Sequence, residues 1–311
     1  MSGESLAGRD LISLLDFSSE ELSRFLDVAV EAKAEPKRFA GALAGQTLFM
    51  YFEKPSLRTR VTFEAAMTQL GGHAIYYTAA EGKIGVRESV EDVARNLERW
   101  VNGAMCRTFS HQMLQELAAA SRIPIINGLT DHLHPCQALA DYLTLRELKG
   151  ELKGRRMVYV GDGNNVAHSL MHAGARLGVN VTVITPEGYE PSAEVVAAAG
   201  EVAKETGAAI DVSTDIAAVA GADAVYTDVW ASMGQEGEAA DRQKIFMPFQ
   251  INEEVMQSAG RGAIFLHCLP AHRGEEVTDG VADSAQSAIF QQAENRLHAQ
   301  KAVLLLLLCG L

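Results

Sequence analysis

The chain has 311 residues, of which 48% are hydrophobic and 22% are charged, a composition typical of a globular protein with two domains. It carries 27 lysines and arginines against 40 aspartates and glutamates, and the resulting net charge of −13 disfavours non-specific binding to nucleic acid. Any anion must therefore be bound by a local cluster of basic side chains.

The four cysteines have neither metal-motif nor disulfide-framework spacing, which favours a reducing compartment. The first ten residues are polar and lack the apolar core of a signal peptide. The apolar run 302–309 is far shorter than the ~20 residues that span a bilayer. We therefore expect a cytoplasmic protein without a membrane segment, in which this run is a buried helix or strand.

The first half of the chain is predicted to alternate between helices and short strands. Ser18 and Glu21 form a capping box at the start of an amphipathic helix. The apolar run 47–52 reads as a buried strand, and 61–70 has helical spacing. Further strands are expected at 73–78 and 124–127, and further helices after Ser89, at 113–120 and from 139 to about 148.

A charged, glycine-containing segment at 149–156 marks the expected change of domain. The pattern after it alternates strands and helices, as in a doubly wound parallel sheet. Strands are predicted at 157–160, 179–184, 208–212, 224–226 and 264–266, and helices at 166–177, 192–206 and 251–258. The expected fold class is therefore α/β, with two domains that each hold a mostly parallel sheet flanked by helices.

The segment 56–60, Ser-Leu-Arg-Thr-Arg, lies where a predicted strand turns into a helix. The first turn of a helix has unpaired backbone N–H groups and the positive end of the dipole. Two hydroxyls and two guanidinium groups at this place favour a phosphate site. The alternative is an ordinary helix start with a serine cap and surface arginines.

The segment 161–165, Gly-Asp-Gly-Asn-Asn, resembles the start of a dinucleotide-binding fingerprint. The third glycine is replaced by Val166, and no acidic residue follows the second strand, which disfavours nicotinamide binding. What remains is a strand-end turn suited to a small polar ligand.

Three further segments carry groups that could act on a substrate. Asp228 follows a strand and could hold an ammonium group, with Ser-Met-Gly as a mobile loop, or it could cap a surface loop. His134 and Gln137 could polarise a carbonyl oxygen, although a lone histidine is more often structural. Cys268 lies at a strand end and could be reactive or buried and inert.

Metal ligation is a further possibility on residue type alone. No pair within the candidate set has the spacing of a zinc motif, so we expect no metal. The candidates are His134, His267, Cys268 and His272.

Five stretches together resemble the aspartate/ornithine carbamoyltransferase family, and the resemblance covers nearly the whole chain. They are 56–60, Arg107 within Cys-Arg-Thr-Phe-Ser-His, 134–137, 228–234 and 267–270. The Asp-x-x-x-Ser-Met-Gly and His-Cys-Leu-Pro motifs are similar to those of the ornithine branch. The aspartate branch is expected to carry His-Pro-Leu-Pro, and the putrescine and acetylornithine branches to lack Ser-Met-Gly.

The resemblance implies transfer of a carbamoyl group from carbamoyl phosphate to the δ-amine of L-ornithine. The products are L-citrulline and phosphate, in arginine biosynthesis or degradation, and no cofactor is implied. The first domain, 1–148 with a returning C-terminal helix at 286–311, would bind carbamoyl phosphate, and 149–285 would bind ornithine. The implied assembly is a homotrimer, or a higher assembly of trimers, with sites between subunits.

The resemblance also implies a role for each residue that matches a family motif. Phosphate would be held by Ser56, Leu57, Arg58, Thr59 and Arg107. The carbamoyl group would be surrounded by Arg58, Thr59, His134, Gln137, Cys268, Leu269 and Arg296. Ornithine would be bound by Asn165, Asp228, Ser232 and Met233, and the catalytic groups would be Arg58, His134, Asp228 and Cys268.

The chain departs from the family pattern at two positions. Leu57 stands where a threonine is usual, so one hydroxyl donor to phosphate is lost while the backbone N–H remains. Lys83 stands where a glutamine is often supplied to a neighbouring subunit's phosphate site. Two other functions stay open: carbamoyl transfer to another amine, such as putrescine or acetylornithine, and a catalytically silent metabolite-binding relative.

Overall fold

The computed structural model describes residues 4–231 and 236–311. The chain divides into two compact units, which we call the first unit (Met1–Leu143 with Glu294–Leu311) and the second unit (Thr144–Ala293). The division falls inside two helices. Both units are built on a parallel sheet with helices, so the predicted α/β fold class is confirmed.

The first unit contains a four-stranded parallel sheet in the order β2-β1-β3-β4. The capping box at Ser18 and Glu21 is present, which confirms the start of the first helix. The strands are β1 Thr47–Phe52, β2 His73–Thr78, β3 Gly103–Arg107 and β4 Ile125–Leu129. The helices are α1 Ser19–Ala34, α2 Leu57–Gln69, α3 Val90–Trp100, α4 His111–Ala120 and α5 Pro135–Lys149, with short 3-10 turns at Leu14–Asp16 and Pro36–Phe39.

The second unit contains a five-stranded parallel sheet in the order β7-β6-β5-β8-β9. Its strands are β5 Arg156–Val160, β6 Asn180–Ile184, β7 Ile210–Ser213, β8 Ala224–Thr227 and β9 Ile264–His267. Its helices are α6 Asn165–Leu177, α7 Ala193–Thr206, α8 Ala239–Phe246, α9 Glu253–Ala259 and α10 Asp279–Ala282, with 3-10 turns at Ile216–Val219, Glu236–Glu238 and Met247–Phe249. Val158, Val160, Val225 and Phe265 are fully buried in its core.

The chain ends in helix α11, Ile289–Leu304, which continues as a π-helix over Leu305–Cys309. Leu305, Leu306 and Leu307 are fully buried, so the apolar run is a buried helical segment, as expected. Its last part belongs to the first unit, which confirms the returning C-terminal helix. Within 4–231 and 236–311, no helix has both the length and the apolar character needed to cross a membrane.

Strand β3 and helices α8 and α10 are elements that the sequence patterns did not predict. Helix α8 is the longer of these two helices. Only one of its described apolar side chains, Phe246, is fully buried, so the segment has little helical periodicity. Arg242, on the same helix, is also buried. The helices and strands that were predicted are present, with boundaries that differ by a few residues.

Both sheets reverse their strand order at an internal point, and ligands of open parallel sheets bind outside the carboxyl ends of the strands at such a point. In the first unit it lies between β1 and β3, where Phe52 pairs with Arg107. In the second unit it lies between β5 and β8, where Val160 pairs with Thr227. Four candidate site residues lie at or shortly after these strand ends: Arg58, Arg107, Asn165 and Asp228.

Gly163 explains the partial dinucleotide fingerprint in the turn after β5. Its N–H donates to the carbonyl of Tyr189 at 2.8 Å. A Cβ atom at this position would lie 2.2 Å from the nitrogen of Pro191. The glycine is therefore required by the close approach of the chain's own loop.

We predict that Gly163→Ala lowers the free energy of unfolding by about 3 kcal/mol, because backbone atoms must move. Gly200→Ala is the matched control: this glycine lies in α7 with no atom within 4 Å of the added methyl, so we expect a gain of about 1 kcal/mol. Urea unfolding followed by Trp230 fluorescence in a Trp100→Phe background measures both. Equal effects of the two substitutions would contradict the packing argument.

Candidate active site

The loop after β1 positions the start of helix α2. Ser56 is the N-cap, and its Oγ accepts a hydrogen bond from the N–H of Thr59 at 3.3 Å. Leu57 is the first helical residue, and its side chain is 75% exposed. The free end of the helix therefore offers backbone N–H groups beside one buried hydroxyl, that of Thr59.

The two arginines of this loop face different surroundings. Arg60 is exposed; its Nε donates to Glu64 at 3.0 Å, and its guanidinium lies 3.7 Å from the centre of the Tyr76 ring. Arg58 is only partly exposed and acts electrostatically on the imidazole of His134. Of these two arginines, only Arg58 therefore lies near another predicted site residue of the first unit.

His134 lies at the start of helix α5 and is buried. Burial lowers the pKa of this imidazole well below its usual value of 6.5, and the positive charges of Arg296, Arg107 and Arg58 lower the pKa further. The ring is consequently neutral at physiological pH. Three guanidinium groups around a neutral imidazole offer hydrogen-bond donors to an oxyanion or a phosphate group.

A buried chain of hydrogen bonds supports this cluster. Gln137 Nε2 donates to Asp141 Oδ1 at 2.8 Å, and Gln137 Oε1 accepts from Arg296 Nη1 at 2.6 Å. Arg296 Nη2 donates to Thr59 Oγ1 at 3.2 Å. Because a carboxylate only accepts and a guanidinium only donates, the orientation of the Gln137 amide is fixed. All four side chains are at most 2% exposed.

Asp141 is the member of this chain that sequence reasoning missed. It lies four residues after Gln137, so both side chains project from one face of helix α5. That spacing was the available signal. Its carboxylate supplies a buried negative charge to a cluster that is otherwise positive.

Lys83 lies in the loop after β2 and is exposed. Its Nζ is 3.6 Å from Glu53, and that carboxylate also accepts the N–H of Phe109 at 2.8 Å. Lys83 lines a surface groove of about 540 Å³ together with Arg87 and Trp100. Within its own chain it therefore contacts the turn that follows β1.

The second unit brings Asp228 and Cys268 together. They follow β8 and β9, and the register pairs Thr227 with His267, so the next residue of each strand end is adjacent. Cys268 Sγ donates to Asp228 Oδ1 at 2.9 Å, and the N–H of Val229 donates to the same oxygen at 2.8 Å. Asp228 is buried.

The other oxygen of Asp228 is held by a residue that the sequence analysis did not single out. Asn164 Nδ2 donates to Asp228 Oδ2 at 3.0 Å. Asn164 is the N-cap of helix α6, whereas its neighbour Asn165 is the first helical residue and is partly exposed. Ser232 and Met233 lie outside the described residues.

His267 supports the turn that carries Cys268. The N–H of Leu269 donates to His267 Nδ1 at 2.8 Å, so the proton is on Nε2, which donates to buried Glu276 at 3.0 Å. Leu269 itself has a left-handed φ of 61°. This histidine therefore fixes the conformation of the backbone beside the thiol.

Asp228, His267 and Cys268 have potential metal-ligand atoms within 4.8 Å of one another. Both ring nitrogens of His267 are engaged in hydrogen bonds, and the thiol donates to Asp228. A metal ion would have to displace these bonds, so the three groups fit a hydrogen-bonded arrangement better. His272 faces solvent, 3.6 Å from Glu275.

Arg242 anchors Trp230 to the turn after β5. Its Nε donates to the carbonyl of Trp230 at 2.7 Å, and its Nη2 donates to Asp162. Burial raises the pKa of Asp162, while Arg242 opposes this effect. Arg242 was missed because helix α8 was not predicted.

Comparison with known proteins identifies the family. The carbamoyl-P binding domain of aspartate/ornithine carbamoyltransferase matches residues 9–147, and the Asp/Orn binding domain matches residues 153–307. The chain belongs to the aspartate/ornithine carbamoyltransferase family. The resemblance drawn from five short motifs is thereby confirmed.

Similar members of this carbamoyltransferase family align over nearly their whole length. Ornithine carbamoyltransferase of Anoxybacillus flavithermus is 54% identical over 97% of this chain and 98% of that protein. The Pyrococcus furiosus protein named ornithine carbamoyltransferase, anabolic, is 53% identical over 99% and 98%. The solved structure of ornithine carbamoyltransferase from Pyrococcus furiosus superposes with a TM-score of 0.96 at 52% identity, covering 99% of this chain and 100% of that one.

We predict that Asp141→Asn lowers the free energy of unfolding by about 2–3 kcal/mol, since it removes a buried charge that accepts a hydrogen bond within a positive cluster. The control is Asp92→Asn, the same chemical change at an exposed position in the first turn of α3. We expect it to cost less than about 1 kcal/mol. Urea unfolding followed by circular dichroism compares them, and similar losses would contradict the role given to Asp141.

Proposed function

We propose that this chain transfers the carbamoyl group of carbamoyl phosphate to the δ-amine of L-ornithine, giving L-citrulline and phosphate. The observation that carries the proposal is the neutral, buried His134 among Arg58, Arg107 and Arg296. This cluster lies in the part of the chain that matches a carbamoyl-P binding domain, together with the returning helix. Relatives named ornithine carbamoyltransferase are 53–54% identical over 97–99% of the chain.

The phosphate of the first substrate binds at the start of α2. Arg58 and Arg107 supply the positive charge, and Ser56, Leu57 and Thr59 supply helix-terminal N–H groups and hydroxyls. The exposed side chain of Leu57 takes no part, so its contribution is the backbone N–H alone. A helix N-terminus stabilises an anion without needing that side chain.

The carbamoyl oxygen becomes an oxyanion when the amine attacks the carbonyl carbon. Arg58, Thr59 and His134 are the donors to this oxygen, and each such donor typically contributes about 3–4 kcal/mol to the transition state. Gln137 and Arg296 hold Thr59 in place through their hydrogen bonds. Catalysis then consists of positioning and oxyanion stabilisation, because phosphate is already a good leaving group.

The second substrate must lose a proton before it can attack, since a free amine of this type has a pKa of about 10. Asp228 is the acceptor of the Asp228–Cys268 pair, because the thiol donates to it. Asp228 and Cys268 together orient the amine and take its proton, and departing phosphate is a further acceptor. Asn165, Ser232, Met233 and Leu269 complete the groups assigned to the substrates.

We further propose the organisation of the active enzyme. Residues 1–148 with 286–311 bind carbamoyl phosphate, and 149–285 bind ornithine. The enzyme is a cytoplasmic homotrimer in which Lys83 reaches a neighbouring subunit's phosphate. The exposed position of Lys83 supports this role. It works towards citrulline, as the name of the anabolic Pyrococcus furiosus relative suggests.

Arg58→Ala is expected to lower kcat/KM for carbamoyl phosphate at least about a hundredfold, because a charged donor to phosphate and oxyanion is lost. Arg38→Ala, which removes an exposed arginine paired with Glu31, is expected to retain normal activity. Citrulline formation measures both variants. Near-normal transfer by Arg58→Ala would refute the proposed phosphate site.

The amine specificity is tested with the unmodified protein. Ornithine, putrescine, acetylornithine and aspartate are offered with carbamoyl phosphate, and release of phosphate is measured. We expect ornithine to be preferred at least about a hundredfold. A site that forms hydrogen bonds with the whole amino acid leaves polar groups unpaired when another amine binds. Preference for another amine would replace the proposed substrate, and no release with any amine would indicate a silent relative.

A further inference from the structure

Asn164 makes hydrogen bonds in two directions at the end of β5. Its Oδ1 accepts the N–H groups of Val166 at 2.9 Å and Ala167 at 3.2 Å, which caps helix α6. The hydroxyl of Tyr159 donates to the same oxygen at 3.3 Å. Its Nδ2 donates to Asp228 Oδ2 at 3.0 Å.

The helix cap determines how the amide is turned. Backbone N–H groups only donate, so they require the oxygen of Asn164 on their side, and the NH₂ group must then face Asp228. Asparagine and aspartate are equally good N-caps. An aspartate here would place a second carboxylate against Asp228, so the helix cap alone does not account for asparagine.

We propose that Asn164 is a positioning residue, which uses the N-cap of helix α6 to orient Asp228 and so sets how this carboxylate acts on Cys268 and on the amine of the substrate. The part that concerns the amine rests on the proposed function. The part that concerns Cys268 does not.

Other titratable groups near Asp228 have partners of their own. Asp162 is paired with Arg242, and Tyr159 donates to Asn164. Among the hydrogen bonds described, the side-chain donors to Asp228 are therefore Asn164 and Cys268, one on each oxygen. When Cys268 ionises, its thiolate faces this carboxylate. Without the Asn164 donor, the negative charge of Asp228 is less neutralised and repels the thiolate more strongly.

Two variants keep the helix cap and change the group that faces Asp228. Asn164→Ser removes the donor, and Asn164→Asp replaces it with a like charge. The reporter is alkylation of Cys268 by iodoacetamide, followed on its peptide by mass spectrometry in a Cys309→Ser background. We expect the pH of half-maximal alkylation to rise in both variants, by roughly one pH unit in Asn164→Asp.

Asn252→Asp is the matched control. Asn252 caps helix α9 through the N–H groups of Glu254 and Val255, in the same geometry. In this control variant, the pH of half-maximal Cys268 alkylation is expected to equal that of the parent protein. An unchanged midpoint in both Asn164 variants, or an equal rise in the control, would overturn the proposal whatever the enzyme's substrate is.

The second readout is steady-state kinetics with ornithine. We expect Asn164→Ser to raise KM for ornithine about tenfold, the effect of one hydrogen bond to a charged group, while KM for carbamoyl phosphate stays unchanged. A lost cap alone would lower stability without this selectivity. If the pH of half-maximal Cys268 alkylation shifts in the Asn164 variants while the parent protein forms no citrulline, the positioning role stands and the proposed function fails.

Discussion

The first unit gathers positive charge around a buried imidazole, and the rest of its candidate site depends on this arrangement. Arg58, Arg107 and Arg296 all act on the imidazole of His134, inside a chain whose net charge is −13. Like charges in a poorly hydrated place repel each other and are costly to desolvate. Asp141 compensates part of this charge through Gln137. The remaining positive charge favours the binding of an anion, in agreement with the proposed function.

Strand ends supply the groups in both units. Parallel strands place their carboxyl ends at one edge, and a reversal of strand order opens a crevice there. The register of β1 with β3 places Arg107 beside the loop that carries Arg58. The register of β8 with β9 places Asp228 beside Cys268. Residues far apart in sequence thereby come close together. The hydrogen bonds between paired strands hold the backbone that carries them.

The sequence predicted the features that depend on neighbouring residues. Period-2 and period-3.6 patterns identified most of the strands and helices, and side-chain caps located helix starts such as that at Ser56. Arg58 and Arg60 look equivalent in sequence, but two steps of a helix turn a side chain by about 200°, so only one faces His134. The contacts of Arg296 and Asn164 depend on residues brought together by the tertiary fold: Arg296 lies 237 positions from Thr59, and Asn164 lies 64 positions from Asp228. No local pattern reports such a distance.

The protonation of His134 tests the account most directly. The nitrogen chemical shifts of histidines labelled with ¹⁵N are measured between pH 8 and pH 6, and His134→Asn identifies the relevant signal among nine histidines. The account predicts that the His134 ring stays neutral throughout, because burial and three guanidinium groups hold its pKa well below 6.5. A midpoint at or above 6.5 would show that the ring is hydrated and remote from the arginines, and would contradict the account.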